Sequence, residues 1–152
     1  CISIDPWFLV GDFPEEARLI RTAREINSSM PAYVLDRIES IMREKGLSDY
    51  SRIGLYGLTY KEDVDDTRES PTLQLLEVME KRGLPAPLVY DPMVSAKKAA
   101  RQCFDYDEFL AGTDMIVLLV GHSHIRSSLA SLEGKTVLDT RGIVTDGSAY
   151  ML

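Results

Sequence analysis

From Arg52 onward the chain alternates between short apolar runs and stretches of helical periodicity, and this alternation constrains its fold more than any other feature. Ile53–Tyr56, Leu88–Tyr90, Met115–Val120 and Thr136–Leu138 read as strands. Between them, Ser70 and Pro71 cap a helix that carries Leu75, Leu76 and Met79 on one face and ends at Gly83. Ala96–Gln102, Asp107–Ala111 and Ile125–Leu132 read as further helices. Strands joined through helices imply right-handed crossovers and a parallel sheet covered on both faces. The expected fold class is α/β, a doubly wound parallel sheet occupying residues 50–152.

The first 47 residues follow a different period. Asp5 followed by Pro6 reads as a helix start, with the Asp5 carboxylate capping the amides of the first turn. From Glu15 the apolar positions Leu19, Ile20, Ala23 and Ile26 recur at helical spacing. Asn27, Ser28 and Ser29 interrupt them, and Pro31 is expected to open a second helix whose stripe is Val34, Leu35, Ile38, Ile41 and Met42. Gly46 is the expected C-cap, and Ser48–Ser51 a linker. The stripe from Val34 to Met42 is more apolar surface than one small neighbouring domain is expected to cover, which predicts self-association through these helices. Because Cys1 and its neighbours read as the middle of something longer, a fragment is expected, with a helical region at 1–47 and the sheet domain at 50–152.

Charge and composition exclude several classes of partner. Lys plus Arg total 17 against 24 Asp plus Glu, a net charge of -7. That is the wrong sign for a protein held to nucleic acid by its phosphates, so any phosphate site must be local. The longest apolar run, Met115–Val120, falls far short of the roughly 20 residues that span a bilayer. Neither nucleic acid nor membrane is an expected partner. Two cysteines, Cys1 and Cys103, are too few for a disulfide framework, and the start of the chain lacks the pattern of a signal peptide. A reducing cytoplasm is the simplest compartment.

In doubly wound sheets ligands bind beyond the carboxyl ends of the strands, here the loops after Tyr56, Tyr90, Val120 and Leu138. Gly54 and Gly57 stand at the first strand without completing a G-x-G-x-x-G fingerprint. The segment GLTYKEDVDDTRESP follows, with Lys61 and Arg68 near the start of the Ser70 helix, a natural anion site. Taken singly, both also read as solvated charges. Glu62, Asp63, Asp65 and Asp66 lack a metal-ligand pattern and read as a solvated loop in which Asp66 or Glu69 pairs with Arg68. His122 and His124 have no third histidine to join them, so no metal site is expected. Cys103 reads as a buried apolar thiol. Arg141, after the last strand in VLDTRGI, is a phosphate candidate at the ligand-binding edge. Cys1 and Asp5, a thiol four residues before a carboxylate, suit either structure or catalysis. An N-terminal nucleophile hydrolase, which Cys1 also suggests, is built on antiparallel sheets and conflicts with the parallel alternation.

Four segments taken together, CISIDPWFL, ARLIRTAREIN, GLTYKEDVDDTRESP, and VLDTRGI with YDP before it, resemble the second half of the UDP-glucose/GDP-mannose dehydrogenase family. Among its branches CISIDPWFL is most similar to the one acting on UDP-N-acetyl-D-mannosamine, since the UDP-glucose branch usually carries Lys where this chain has Ile4. The resemblance covers essentially the whole chain. It implies a Rossmann-like domain that holds the nucleotide of a UDP-sugar, preceded by the end of a helical dimerisation region. The NAD-binding domain is not in this sequence. The implied reaction oxidises C6 of the sugar twice, alcohol to aldehyde to carboxylate, with NAD as acceptor, giving a uronic acid for cell-surface polysaccharide. By resemblance Cys1 is the nucleophile that adds to the aldehyde, and Asp5 activates water or assists proton transfer. Tyr60 and Lys61 form a pair at the substrate site, Arg141 binds substrate, and Arg68 reaches toward NAD on the other domain. The chain alone is expected to bind nucleotide without turnover and to form a homodimer through its N-terminal helices. Two alternatives stay open: the same chemistry on UDP-glucose or GDP-mannose, or a non-catalytic nucleotide-binding or receiver-like regulatory module. The receiver reading fits poorly with the acidic residues after Tyr60, which are mixed with Lys61 and Arg68.

Overall fold

A computed structural model describes residues 4–152, so Cys1 lies outside the described residues. Its helices are α1 (Asp5–Asp12), α2 (Arg18–Lys45), α3 (Pro71–Lys81), α4 (Tyr106–Ala111) and α5 (Ser123–Ser127). Its strands are β1 (Ile53–Tyr56), β2 (Leu88–Tyr90), β3 (Met115–Leu118), β4 (Thr136–Asp139) and β5 (Tyr150–Met151). They form one sheet in the order β2-β1-β3-β4-β5, every neighbouring pair parallel. The chain enters at β1, steps outward to β2, then crosses back over β1 to build β3, β4 and β5 on the other side. The order reverses between β1 and β3, and the crevice beyond their carboxyl ends is where ligands bind in such sheets.

Period-two alternation splits the core into two layers. Ile53 and Leu55 of β1 face Leu35, Ile38 and Ile41 of α2 and Leu75 of α3, whereas Tyr56 joins Phe109, Ile116, Leu118 and Ile125 on the opposite face. Gly54 is required there, because a Cβ at that position would lie 2.6 Å from the Phe109 ring. Ser70 caps α3 by accepting from the Leu73 amide, and Pro71 fills the first helical position. Gly46 ends α2 in the left-handed region, its amide and that of Leu47 closing on Arg43 and Met42 carbonyls.

Several expectations need correction. Asp5 is not a cap: Ile4 holds the capping position, Asp5 is the first helical residue, and no side chain bonds the free amides. Asn27–Ser29 do not break the second helix, and Pro31 does not open it, since α2 runs continuously through both. A proline within a helix removes one backbone bond, and the burial of Pro31 together with the stripe beyond it holds the helix across that gap. That stripe is not left over for a partner, because Val34, Leu35, Ile38, Ile41 and Met42 are all buried against α3 and the sheet of the same chain. Ala96–Gln102 is not helical: the Gln102 side chain accepts from the Lys98 and Ala99 amides, and Gln102 bridges to Val89 as a short parallel extension of the sheet edge. Ile125–Leu132 divides into α5 and a 3₁₀ turn at Leu129–Leu132. β3 stops at Leu118, and β5 follows without having been foreseen, its two residues being too short a run for any periodicity. No helix among the described residues is long and apolar enough to cross a membrane.

Candidate functional site

Two buried carboxylates at the carboxyl edge of the sheet organise the loops that carry the candidate cations. Asp91, directly after β2, is 4% exposed and accepts from the amides of Leu58 (2.5 Å), Thr59 (3.2 Å) and Met93 (2.7 Å). His122, fully buried after β3, lies with Nε2 3.1 Å from Asp91 Oδ2 and 3.2 Å from Thr59 Oγ1. Its Nδ1 accepts from the Asp63 amide at 2.9 Å, which leaves the hydrogen on Nε2 to be donated to Asp91. Burial pushes the Asp91 carboxyl up, but the hydrogen bonds from His122 and the amides of Leu58 and Met93 outweigh it and hold the group below its ordinary range.

This network fixes the loop between β1 and α3. Asp63 adopts a left-handed φ of 58°, turning its amide to His122 while its carboxylate accepts from the Ser123 amide and hydroxyl. The Ser123 hydroxyl, then its amide, lower the Asp63 carboxyl below its usual range. The Tyr60 amide donates to the Asp66 carbonyl, closing the loop on itself. Gly57 begins it at φ 99°, where a Cβ would meet Val120 at 2.6 Å, so the loop can leave the sheet there only without a side chain. The expectation of a freely solvated acidic loop therefore holds for part of it only: Asp66 pairs with Arg68 at 2.7 Å, as anticipated, while Asp63 is docked. The Arg68 fork holds the Asp66 carboxyl down at about 2.

Asp139, at the end of β4, does the same for the last loop. Fully buried, it accepts from four consecutive amides, Arg141, Gly142, Ile143 and Val144, at 2.6–2.9 Å. That wraps the backbone tightly around the carboxylate and sets Arg141 at the sheet edge. Sequence reasoning selected Arg141 and missed the residue that positions it; an Asp closing a buried strand just before a polar turn was the available signal.

Between these loops and the amino-terminal half of α2 lies a cleft of about 810 Å³. Tyr60, Lys61 and Arg141 all line it, so the structure brings together the three residues singled out for substrate. Asp5 and Arg68 do not line it: Asp5 is exposed on α1, whose Ile4 and Trp7 form part of the wall, and Arg68 points outward, 87% exposed. Cys1 lies outside the described residues. Arg24 and Asn27 of α2, not singled out as site residues by the sequence, also line the cleft. Cys103 is buried at the far side of β2, its thiol pushed up to about 11 by burial. The described residues contain no group of three His, Cys, Asp or Glu side chains arranged to hold a metal.

A parallel sheet whose two anchored loops bring Lys61 and Arg141 to a cleft at its switch point suits a diphosphate, and comparison with known proteins agrees. The profile of the UDP-glucose/GDP-mannose dehydrogenase family, UDP binding domain, matches residues 54–146. An NDP-N-acetyl-D-galactosaminuronic acid dehydrogenase of Ralstonia nicotianae is 40% identical over 147 residues, which is 94% of this chain and 34% of that protein. A UDP-N-acetyl-D-mannosamine dehydrogenase of Methanocaldococcus jannaschii is 36% identical, over 95% of this chain and 34% of its own length. Among solved structures, a UDP-N-acetyl-mannosamine dehydrogenase from S. aureus superposes with a TM-score of 0.76 at 33% identity, covering 96% of this chain and 35% of that one. The chain thus spans about a third of the curated relatives it matches. With profile, sequence and fold agreeing, the chain belongs to the UDP-glucose/GDP-mannose dehydrogenase family and carries its UDP binding domain.

Proposed function

We propose that this chain is the nucleotide-holding part of a nucleotide-sugar dehydrogenase that oxidises a UDP-sugar at C6 to the uronate. The observation that carries the reading is the convergence of Tyr60, Lys61 and Arg141 on one cleft at the switch point of the sheet. Lys61 and Arg141 neutralise the diphosphate by charge-assisted hydrogen bonds, and Tyr60, 48% exposed, offers a ring and a hydroxyl to the nucleoside or sugar. The relatives named above are named for N-acetylated sugars, which supports an N-acetylhexosamine, with UDP-N-acetyl-D-mannosamine as the first reading and UDP-glucose or GDP-mannose as alternatives.

The chemistry belongs to the α1 side. Cys1 is proposed as the thiol that adds to the C6 aldehyde and leaves from the acyl group once water attacks, sulfur being suited to both steps. Asp5, freed from capping, is proposed to assist proton transfer to and from that water. NAD supplies the hydride acceptor when bound; this chain includes no Gly-rich phosphate turn to hold it, and Arg68, exposed and outside the cleft, is proposed to reach toward it. We place the division between the helical region and the nucleotide domain at residues 47–50, and a homodimer contact on the exposed apolar residues of α1 and early α2.

Calorimetric titration of UDP, with an NADH absorbance assay alongside, tests the reading. Wild type is expected to bind UDP, and Lys61→Ala and Arg141→Ala each to weaken it about tenfold or more, the loss of a charged hydrogen bond being roughly 1.5–3 kcal/mol. No NADH is expected from this chain with any UDP-sugar. Unchanged affinity in both variants would overturn the site, and NADH production would overturn the assignment of NAD to another part of the protein.

A further inference from the structure

Among the described residues, Arg24 is the one side chain with a buried nitrogen that lacks a partner: its Nε is out of contact with solvent and bonds to nothing. A buried donor left so is costly unless a partner meets it, and the half-buried guanidinium that carries it lines the cleft, open to an anionic ligand there. The cleft's own carboxylates do not supply that partner. Of the two that line it, Glu62 is paired with Arg126 at 3.2 Å, and among the described residues no ion pair involves Glu69 or Arg24.

The direction in which Arg24 faces narrows the choice. Arg24, Asn27 and Ser28 are spaced i, i+3, i+4 on α2 and line the cleft together, a polar stripe on an otherwise apolar wall. That wall is shared with Ile4 and Trp7 of α1, whereas Lys61 and Arg141 approach from the strand ends. Two cations at the strand ends match the two charges of a diphosphate. A third cation on the α1 side, where the proposed function places the C6 chemistry, matches a third negative charge. A nucleotide-sugar has none there before oxidation and gains one when C6 becomes a carboxylate.

Resting on the function proposed above, we propose that Arg24 binds the C6 carboxylate of the uronate product, with Asn27 and Ser28 hydrogen-bonding the neighbouring sugar substituents. The cleft then discriminates between the neutral and oxidised states of the sugar and retains the uronate after the second oxidation.

The test titrates UDP, UDP-glucose, UDP-glucuronate and NAD into this chain, as wild type and as Arg24→Gln, Arg24→Lys and Lys61→Ala, with a thermal melt of each variant to establish folding. Wild type is expected to bind UDP-glucuronate about tenfold more tightly than UDP-glucose, the worth of one charge-assisted bond. Arg24→Gln is expected to abolish that preference while leaving UDP within about threefold, and Arg24→Lys to keep part of it. A preference that survives Arg24→Gln, or is missing from wild type, overturns the proposal. A loss confined to NAD overturns it too, identifying the anion as a dinucleotide phosphate. The two readings fail separately: if UDP does not bind, or binds unaffected by Lys61→Ala, the nucleotide site itself is wrong and this inference falls with it. If UDP binding depends on Lys61 while the uronate preference ignores Arg24, only this inference falls.

Discussion

Asp139 and Asp91 show how a single buried side chain can matter more to a site than the residues that touch ligand. Replacing Asp139 with Ala strands four amides that it now satisfies, and is expected to cost about 3 kcal/mol in urea unfolding, the upper end for buried groups left unpaired. UDP affinity is expected to fall with it, because Arg141 loses its anchor. A stability within 0.5 kcal/mol of wild type, roughly the range of surface substitutions, would contradict this role. Asp91 makes a prediction in pH. Its folded carboxyl titrates below its unfolded value of about 3.9, so its contribution is fully present above that value and is lost as pH falls through the folded value. The contribution of Asp91 to the melting temperature is expected to stay constant above about pH 5 and to fall away below pH 4, with Asp91→Asn less stable at neutral pH and showing a shallower acid loss. An equally steep acid loss in the variant would remove Asp91 from the account. Lys61 and Arg141 were legible from their place after strands. Arg24 was not, because its role depends on which face of α2 turns toward the cleft, and that is set by packing over the sheet.

Helix α2 is where local pattern and tertiary packing disagree most. Asn27–Ser29 and Pro31 weaken a helix, and a reading by propensity divides it there; burial of Leu35, Ile38 and Ile41 against the sheet overrides those preferences. Ile38→Ala is accordingly expected to cost about 2–5 kcal/mol, the range for removing a fully buried aliphatic side chain, in chemical unfolding. A cost below 1 kcal/mol would mean that α2 is not part of this core. The same packing moves the expected self-association surface. With the Val34–Met42 stripe buried, the exposed apolar residues include Phe8, Phe13, Leu19 and Ile26, on α1, the turn after it and the start of α2. Light scattering at high concentration is expected to show a dimer that Phe8→Ser with Phe13→Ser weakens, and a strict monomer in wild type would contradict the contact. The segment 96–102 was misread for the opposite reason: its spacing is helical, but the Gln102 side chain takes the amides that a helix would have used.

At the scale of the molecule, the alternation of strands and helices was enough to give a parallel α/β sheet, and the position of its polar loops enough to point at the carboxyl edge. What the alternation could not give was the strand order, which depends on long-range pairing, or the cleft, which exists only because α2 and the anchored loops enclose it. A net charge of -7 also means that nucleotide must be captured at short range, within this cleft, rather than by a field around the protein. The most direct measurement is the perturbation of backbone amide resonances by UDP, followed over the whole chain. Shifts are expected at residues 58–69 and at 140–144, with the separate hollow of about 580 Å³ around Leu132, Val137 and Val144 unaffected. Resonances that stay fixed in those loops on saturation with UDP, or shifts confined to that second hollow, would contradict the assignment of the cleft as the nucleotide site.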